Sequence, residues 1–181
     1  MLLDTPLCDF GWKAPSFSLA DPDGVMHNTE ELMGENGLLI AFICNHCPYV
    51  HAIIERLVED AKALQAEGIG VVALMSNDYR SVPADSPARM KQFAANHGFS
   101  FPYLVDDDQT VGRIYGAVCT PDFFGFNNNA ELQYRGRLDD AGMQDGQNRT
   151  PELLNAMQLV AKTGHGPEHQ KPSMGCSIKW R

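Results

Sequence analysis

Six consecutive apolar residues, 38–43, constrain the fold of this chain more than any other feature. A run of this length and composition is typical of a strand that is buried on both faces. An amphipathic helix is predicted directly after it, because apolar residues recur at spacings of three and four across 50–64. Pro48 suits the first turn of this helix and Gly68 lies just past its end. A second apolar run at 69–75 completes a strand, helix and strand, the unit from which parallel sheets are built.

The remaining elements continue this alternation and predict an α/β fold. An N-terminal hairpin is expected from strands at 17–20 and 25–27, followed by a short helix that Asn28 caps. Later elements are a helix that Ser86 caps and Gly98 ends, a strand at 102–105, a helix at 110–115, strands at 118–126 and 132–138, and a helix from Thr150 and Pro151 to about residue 162. These elements predict a central mixed sheet flanked by helices, in one domain spanning 1–181, with a C-terminal tail from about residue 164.

Charge and composition exclude several classes of partner. The chain has 14 basic and 23 acidic residues and a net charge of −9, so we expect no nucleic-acid partner and no anionic membrane partner. Its first residues lack the basic leader and apolar segment of a secretory signal, and no apolar run is long enough to span a bilayer. We therefore expect a cytoplasmic protein, whose five cysteines do not form a structural disulfide framework.

Cys44 and Cys47 lie three residues apart at the junction of the first buried strand and the long helix. The N–H groups of a first helical turn are unpaired and the helix dipole adds positive potential, so a thiol there is stabilised as a thiolate. Cys44, nearer the start, is the expected nucleophile. Cys47, one turn further, is close enough to form a disulfide with it. Spacing and position together predict thiol–disulfide exchange.

His46 lies between the two cysteines. A protonated histidine there favours the thiolate, whereas the alternative is a solvated loop histidine. Stabilising the dithiol makes the disulfide more oxidising. We therefore expect the reduction potential of the pair to lie above that of thioredoxin, which is about −270 mV, and toward that of protein disulfide isomerase, which is roughly −180 mV.

The segment 42–50 reads Phe-Ile-Cys-Asn-His-Cys-Pro-Tyr-Val. It resembles the active-site segment of thioredoxin-like proteins in the redoxin group, which neighbours the alkyl hydroperoxide reductase/thiol-specific antioxidant family. Four more segments are similar to a bacterial branch of that group whose members are called probable thiol–disulfide isomerases; they are 76–78, 119–123, 134–140 and 175–180. The resemblance covers nearly the whole chain and implies a thioredoxin-like fold.

The same resemblance implies that Thr120–Pro121 is a cis peptide bond facing the cysteine pair. X-Pro bonds accept the cis form at a cost of only about 0.5–1 kcal/mol. Such a loop exposes backbone groups with which an extended substrate can pair, so Thr120, Pro121 and Asn45 are the expected substrate contacts. Thioredoxins also carry a buried acidic residue in the strand before the motif. Here 38–43 is wholly apolar, so the sequence does not identify a proton acceptor for Cys47.

Three other functions compete with this interpretation. Peroxiredoxins place Thr or Ser three residues before the peroxidatic cysteine, but Ala41 precedes Cys44 and Cys44 precedes Cys47 at that distance. Zinc could be held by Cys44, His46, Cys47 and His51, although structural zinc sites usually recruit a second closely spaced pair, which the sequence lacks. A non-catalytic binding domain with an incidental dithiol is the third alternative.

Cys119 and Cys176 are possible additional redox thiols, and Cys8 stands alone. Cys119 is most simply a buried core thiol in a strand. Ile178 and Trp180 indicate that the tail docks, which could bring Cys176 toward the pair or cover a distant face.

Other polar residues are expected either to line the site or to be solvated. Asn77 and Asp78 end the second core strand, where loops of a parallel sheet gather. The solvated group comprises Arg135, Arg137, Asp139 and Asp140.

These observations predict an enzyme that exchanges electrons between its dithiol and the disulfide of a protein or small molecule. Thioredoxin or glutathione is the expected upstream reductant. We expect no metal, and no organic cofactor because the chain lacks a Gly-rich dinucleotide fingerprint.

Overall fold

A computed structural model describes residues 1–6 and 9–181, and in them strands and helices follow the predicted alternation. The strands are β1 (Leu2–Asp4), β2 (Ser18–Ala20), β3 (Met26–Asn28), β4 (Gly37–Phe42), β5 (Ile69–Met75), β6 (Tyr103–Val105), β7 (Cys119–Thr120), β8 (Asp122–Phe126), β9 (Leu132–Tyr134) and β10 (Met174–Ser177). The helices are α1 (Thr29–Leu32), α2 (Pro48–Ala66), α3 (Pro87–Asn96), α4 (Thr110–Tyr115) and α5 (Glu152–Thr163), with a single 3-10 turn at Pro83–Asp85. Cys8 lies outside the described residues.

A seven-stranded mixed sheet has the order β3-β2-β6-β5-β4-β8-β9. Strands β4, β5 and β6 run parallel, as the apolar runs and the intervening helices predict. The N-terminal hairpin of β2 and β3 extends one edge, and β8 and β9 add antiparallel strands at the other. The predicted α/β class and hairpin extension are confirmed.

Strand β4 is buried along its whole length, which confirms the interpretation of the apolar run. Its alternate side chains serve two separate cores. Leu39 and Ala41 pack with apolar residues of α2, α3 and α5, whereas Leu38 and Ile40 pack with residues of α4 and with Ile178 of the tail. The strand therefore ends between two packed layers, and the residues that follow it are held on both sides.

The prediction of one strand at 118–126 is wrong. The chain breaks at Pro121 into β7 and β8, which belong to different sheets, because proline has no N–H with which to continue a ladder. The strand expected at 132–138 ends at Tyr134. Beyond it, the Arg137 N–H donates to the Lys171 carbonyl at 2.8 Å instead of continuing in the sheet.

A second, antiparallel sheet has the order β1-β10-β7, and the sequence did not predict it. Its middle strand, β10, belongs to the tail, so the expectation that the tail docks is confirmed. Trp180 stacks with Arg113 of α4, the guanidinium carbon lying 4.4 Å from the ring centroid. None of the helices among the described residues has the length and apolar character needed to cross a bilayer.

The prediction of a solvated group is wrong for two of its four residues, Arg135 and Asp139. Arg135 is buried and forms a bidentate pair with the buried Asp122, with one N–O distance of 2.9 Å. Asp139 is buried against Arg56 of α2, with an N–O distance of 2.7 Å. A charge buried in this way needs a paired partner, and a sequence pattern does not reveal the partner.

Replacing Arg135 with methionine should lower the free energy of unfolding by about 3–5 kcal/mol, because Asp122 would be left as an uncompensated buried charge. Arg137→Met is the matched control, since Arg137 pairs with Glu152 at a partly exposed position and such pairs contribute about 0–1 kcal/mol. Denaturant unfolding measures both variants. Equal losses in the two would contradict the structural role assigned to the Arg135–Asp122 pair.

Candidate active site

Cys44 and Cys47 lie where β4 gives way to α2. Cys47 is the N-cap residue of the helix and Pro48 occupies its first turn. Both side chains are buried, Cys44 to 1% exposure and Cys47 to 0%. The 3-10 turn, Thr120 and β10 lie around the pair.

Thr120 contacts both thiols of the pair. The Cys44 sulfur lies 3.4 Å from the Thr120 hydroxyl, and the protonated Cys47 thiol donates to the Thr120 carbonyl at 3.3 Å. The Thr120–Pro121 bond is cis, as the family resemblance implied. The structure thus brings Thr120 and Pro121 to the pair.

The surroundings of the two thiols shift their pKa values in opposite directions. The pKa of Cys47 is lowered to about 4, first by the thiol of Cys44 and further by the Thr120 side chain, the Val50 N–H of the first helical turn and the thiol of Cys176. The pKa of Cys44 is raised by its interaction with Cys47, by burial and by the nearby carboxylate of Asp85. Cys47 is also the residue at the helix N-terminus, where a thiolate is stabilised. That Cys44 is the nucleophile stays a prediction.

Asp85 is the acidic residue that the sequence did not identify. Its carboxylate is fully buried and accepts hydrogen bonds from the Asn45 N–H at 2.8 Å, the His46 Nδ1 at 2.7 Å and the Asn77 side chain at 2.8 Å. It comes from the turn before α3, some forty residues after the pair. No motif or spacing marks it, so only the tertiary structure could find it.

His46 and Asn45 differ in part from their predicted roles. His46 is partly exposed and bonds to Asp85, so the negative charge of Asp85 accompanies any positive charge on the imidazole ring. The side chain of Asn45 is turned inward, where it accepts from the Tyr103 hydroxyl at 2.9 Å and donates to the Ala84 carbonyl at 3.0 Å. Both polar atoms of the Asn45 side chain are therefore paired within the protein. That Asn45 contacts substrate stays a prediction.

Cys119 and Cys176 lie in different environments. Cys119 is buried in β7, and burial raises its pKa to about 12, as expected of a core thiol. Cys176 is partly exposed on β10 and interacts with the thiol of Cys47. Burial and that interaction raise the pKa of Cys176.

Of the two polar residues after β5, Asn77 belongs to the site and Asp78 does not. Asn77 donates to Asp85 and accepts from the Lys179 N–H at 2.8 Å, so it links the site to the tail. Asp78 instead pairs with Arg181 near the chain terminus.

The proposed zinc ligands are only partly assembled. Among the described residues, Cys44, His46 and Asp85 place ligand atoms within 4.8 Å of one another. His51 is directed elsewhere, since its Nε2 donates to the Asn45 carbonyl at 2.6 Å. The carboxylate of Asp85 already lies within hydrogen-bond distance of three nitrogen atoms, those of the Asn45 N–H, the His46 ring and the Asn77 amide.

An apolar cavity of about 260 Å³ opens beside Pro121. Its lining includes Tyr49 of α2 and two methionines, Met143 and Met174. The cavity therefore adjoins the Thr120–Pro121 loop and the first turns of α2.

The profile of the AhpC/TSA family matches residues 10–136. The chain belongs to the AhpC/TSA family. This match covers the pair, the Thr120–Pro121 loop and Arg135, and a search of curated proteins gave no match.

Solved structures extend the likeness of this AhpC/TSA member to the whole chain. An uncharacterized conserved protein from Geobacillus kaustophilus is 38% identical with a TM-score of 0.94, over 100% of this chain and 97% of that one. A hypothetical protein from Sinorhizobium meliloti is 36% identical with a TM-score of 0.91, over 98% of each chain. The thioredoxin domain of a thiol-disulfide oxidoreductase from Bacteroides vulgatus is 15% identical with a TM-score of 0.66, over 86% of this chain and 99% of that one. The fold is therefore thioredoxin-like.

The reduced protein should show a thiolate that forms well below the ordinary pKa of a thiol, because the Cys44 thiol, the Thr120 side chain and the Val50 N–H lower the pKa of Cys47. Ultraviolet absorbance of the thiolate during an acid titration measures this ionisation. Cys47→Ser should abolish this ionisation. Cys44→Ser should retain it below the ordinary pKa of a thiol, since the serine hydroxyl can still donate a hydrogen bond to Cys47. If the ionisation is lost in Cys44→Ser but kept in Cys47→Ser, the thiolate belongs to Cys44.

Proposed function

We propose that this protein is a thiol–disulfide oxidoreductase in which Cys44 and Cys47 alternate between a dithiol and a disulfide. The observation that carries the proposal is that the sulfurs of Cys44 and Cys47, at the start of α2, both lie against Thr120. The lowered pKa of Cys47 supports it. Membership of the AhpC/TSA family and the thioredoxin-like fold support an oxidoreductase more generally.

The charge distribution favours a particular order of steps. The Cys47 thiolate attacks one sulfur of the substrate disulfide, a mixed disulfide forms, and the other substrate sulfur leaves as a thiolate. Cys44 then attacks the Cys47 sulfur, which releases the second substrate thiolate and closes the Cys44–Cys47 disulfide. In total the substrate gains two electrons and the pair loses them.

Asp85 and His46 provide a route for the proton that Cys44 must lose in the second step. Their hydrogen-bonded pair lies beside Cys44, and His46 is partly exposed, so a proton can pass from the buried thiol toward solvent. This arrangement supplies the carboxylate that the apolar β4 lacks. It also gives His46 a role that depends on Asp85 rather than on direct contact with the thiolate.

We propose that the partner is a disulfide in a protein or small molecule, with thioredoxin or glutathione as the reductant. The net charge of −9 disfavours a nucleic-acid partner, because nucleic acids are also anionic.

Peroxide reduction is the second candidate, because the family includes peroxidases by name and Cys47 carries a low pKa at a helix N-terminus. Three residues before it, however, Cys44 supplies a thiol where peroxiredoxins have a hydroxyl. Consumption of hydrogen peroxide as fast as that of a disulfide, with thioredoxin as reductant, would favour this alternative.

Cys44→Ser and Cys47→Ser should each lower the rate of insulin disulfide reduction by about 100-fold or more, because a dithiol cycle requires both sulfurs. Cys119→Ala is the control, since its buried thiol has a pKa of about 12 and takes no part in the cycle. The assay is turbidity of reduced insulin with a thiol reductant in excess. Wild-type activity in either serine variant would refute the proposed function.

The reduction potential of the pair should lie above the about −270 mV of thioredoxin, because a stabilised Cys47 thiolate favours the reduced form. Equilibration with glutathione redox buffers, followed by mass spectrometry of the alkylated protein, measures it. A potential at or below the thioredoxin value would show that other interactions of the pair outweigh the low pKa.

A further inference from the structure

The tail of this protein occupies the position at which an extended substrate was expected. Strand β10 pairs antiparallel with β7, placing Cys176 opposite Thr120 and Ser177 opposite Cys119. The Ile178 N–H continues the pairing by donating to the Val118 carbonyl at 3.1 Å. Backbone groups beside the pair are therefore not free for an external strand, because the chain itself fills them.

Gly175 allows this close approach. A Cβ atom at that position would lie 1.9 Å from the Thr120 carbonyl oxygen, far inside any permitted contact. Residue 175 must therefore lack a side chain if β10 is to lie against the Thr120–Pro121 loop.

Hydrogen bonds fix β10 to the site on both sides. Before the strand, the Ser173 hydroxyl donates to the Pro121 carbonyl at 2.7 Å. After it, the Lys179 N–H donates to Asn77, which in turn donates to Asp85. The position of Cys176 is thus coupled to the groups that surround the pair.

Accessibility differs sharply within this cluster of three thiols. Cys44 and Cys47 are buried to 1% and 0% exposure, whereas Cys176 is partly exposed and also lies against Cys47. Cys176 is therefore the thiol in the cluster that another protein can approach most directly.

We propose that Cys176 is a third redox-active thiol, which relays the disulfide between the buried pair and a protein dithiol outside. This inference rests on the proposed function. In the first step the Cys176 thiolate attacks the Cys47 sulfur of the Cys44–Cys47 disulfide. A Cys47–Cys176 disulfide forms, Cys44 leaves as a thiolate and takes up a proton, and no net oxidation or reduction occurs.

The second step transfers electrons from the partner. A thiolate of the external dithiol attacks the Cys176 sulfur, and the Cys47 thiolate leaves. The second thiol of the partner then attacks the partner sulfur that is bonded to Cys176. The partner disulfide closes and Cys176 is released as a thiolate. The partner has lost two electrons and one disulfide of this protein has been reduced.

The charges of the cluster favour Cys176 as the attacking thiolate of the first step and Cys47 as the leaving thiolate of the second. A leaving thiolate of low pKa departs faster, and Cys47 is the sulfur of lowest pKa in the cluster. Burial and the neighbouring Cys47 raise the pKa of Cys176 in the reduced protein. Once Cys47 is part of a disulfide it carries no negative charge, so Cys176 ionises more readily when it must attack.

The first test traps the internal disulfide. Cys44→Ser protein oxidised with diamide should contain a Cys47–Cys176 cross-link in peptide mapping by mass spectrometry, and Cys44→Ser/Cys176→Ser should not. Gly175→Ala in the Cys44→Ser background should reduce the cross-link, because β10 can no longer lie against Thr120. Finding only intermolecular disulfides or oxidised Cys47 in the Cys44→Ser protein would overturn the relay.

The second test separates the relay from the pair itself. Cys176→Ser should slow reduction of the Cys44–Cys47 disulfide by thioredoxin about tenfold or more, while reduction by the small dithiol dithiothreitol stays within about twofold of wild type. Ser177→Ala, on the same strand, is the control and should leave both rates unchanged. Equal rates with thioredoxin, or equal slowing with both reductants, would overturn the relay. Absence of a Cys44–Cys47 disulfide in oxidised wild type would instead refute the proposed function.

Discussion

The rest of the site depends on one interaction, the contact that the thiols of Cys44 and Cys47 both make with Thr120. Thr120 ends β7 in the small sheet, and Pro121 separates it from β8 in the central sheet. The same residue therefore touches the junction of β4 and α2 through the sulfurs and the C-terminal tail through β10. Three regions far apart in the sequence meet at this point, and the cysteine pair lies where they meet.

Burial makes the charges in this region costly unless each has partners. Asp85 is satisfied by three donors, Asp122 by the fork of Arg135, and the Cys47 thiolate by neighbouring thiols and by the N–H of Val50. These interactions hold the surrounding loops in place and also shift the pKa values of the two thiols. Structural support and chemical tuning come from the same hydrogen bonds.

Much of the fold could be predicted because local patterns specify it. The apolar run of β4, the stripe of α2 and the caps Asn28 and Ser86 all depend on residues close in sequence, and the structure confirms them. Long-range partners could not be predicted in this way. Arg135 and Asp139 read as solvated because their partners, Asp122 and Arg56, lie in other elements.

By itself, the sequence determined the α/β architecture and the placement of a Cys-x-x-Cys pair at the start of a long helix, since periodicity and spacing are local properties. Only the tertiary structure decided which groups shift the pKa of each thiol, because those donors and carboxylates come from elsewhere in the chain. It also decided that Asp85 adjoins the pair, that Asn45 faces inward and that Cys176 reaches Cys47. Each of these contacts joins segments tens of residues apart, and no periodicity encodes them.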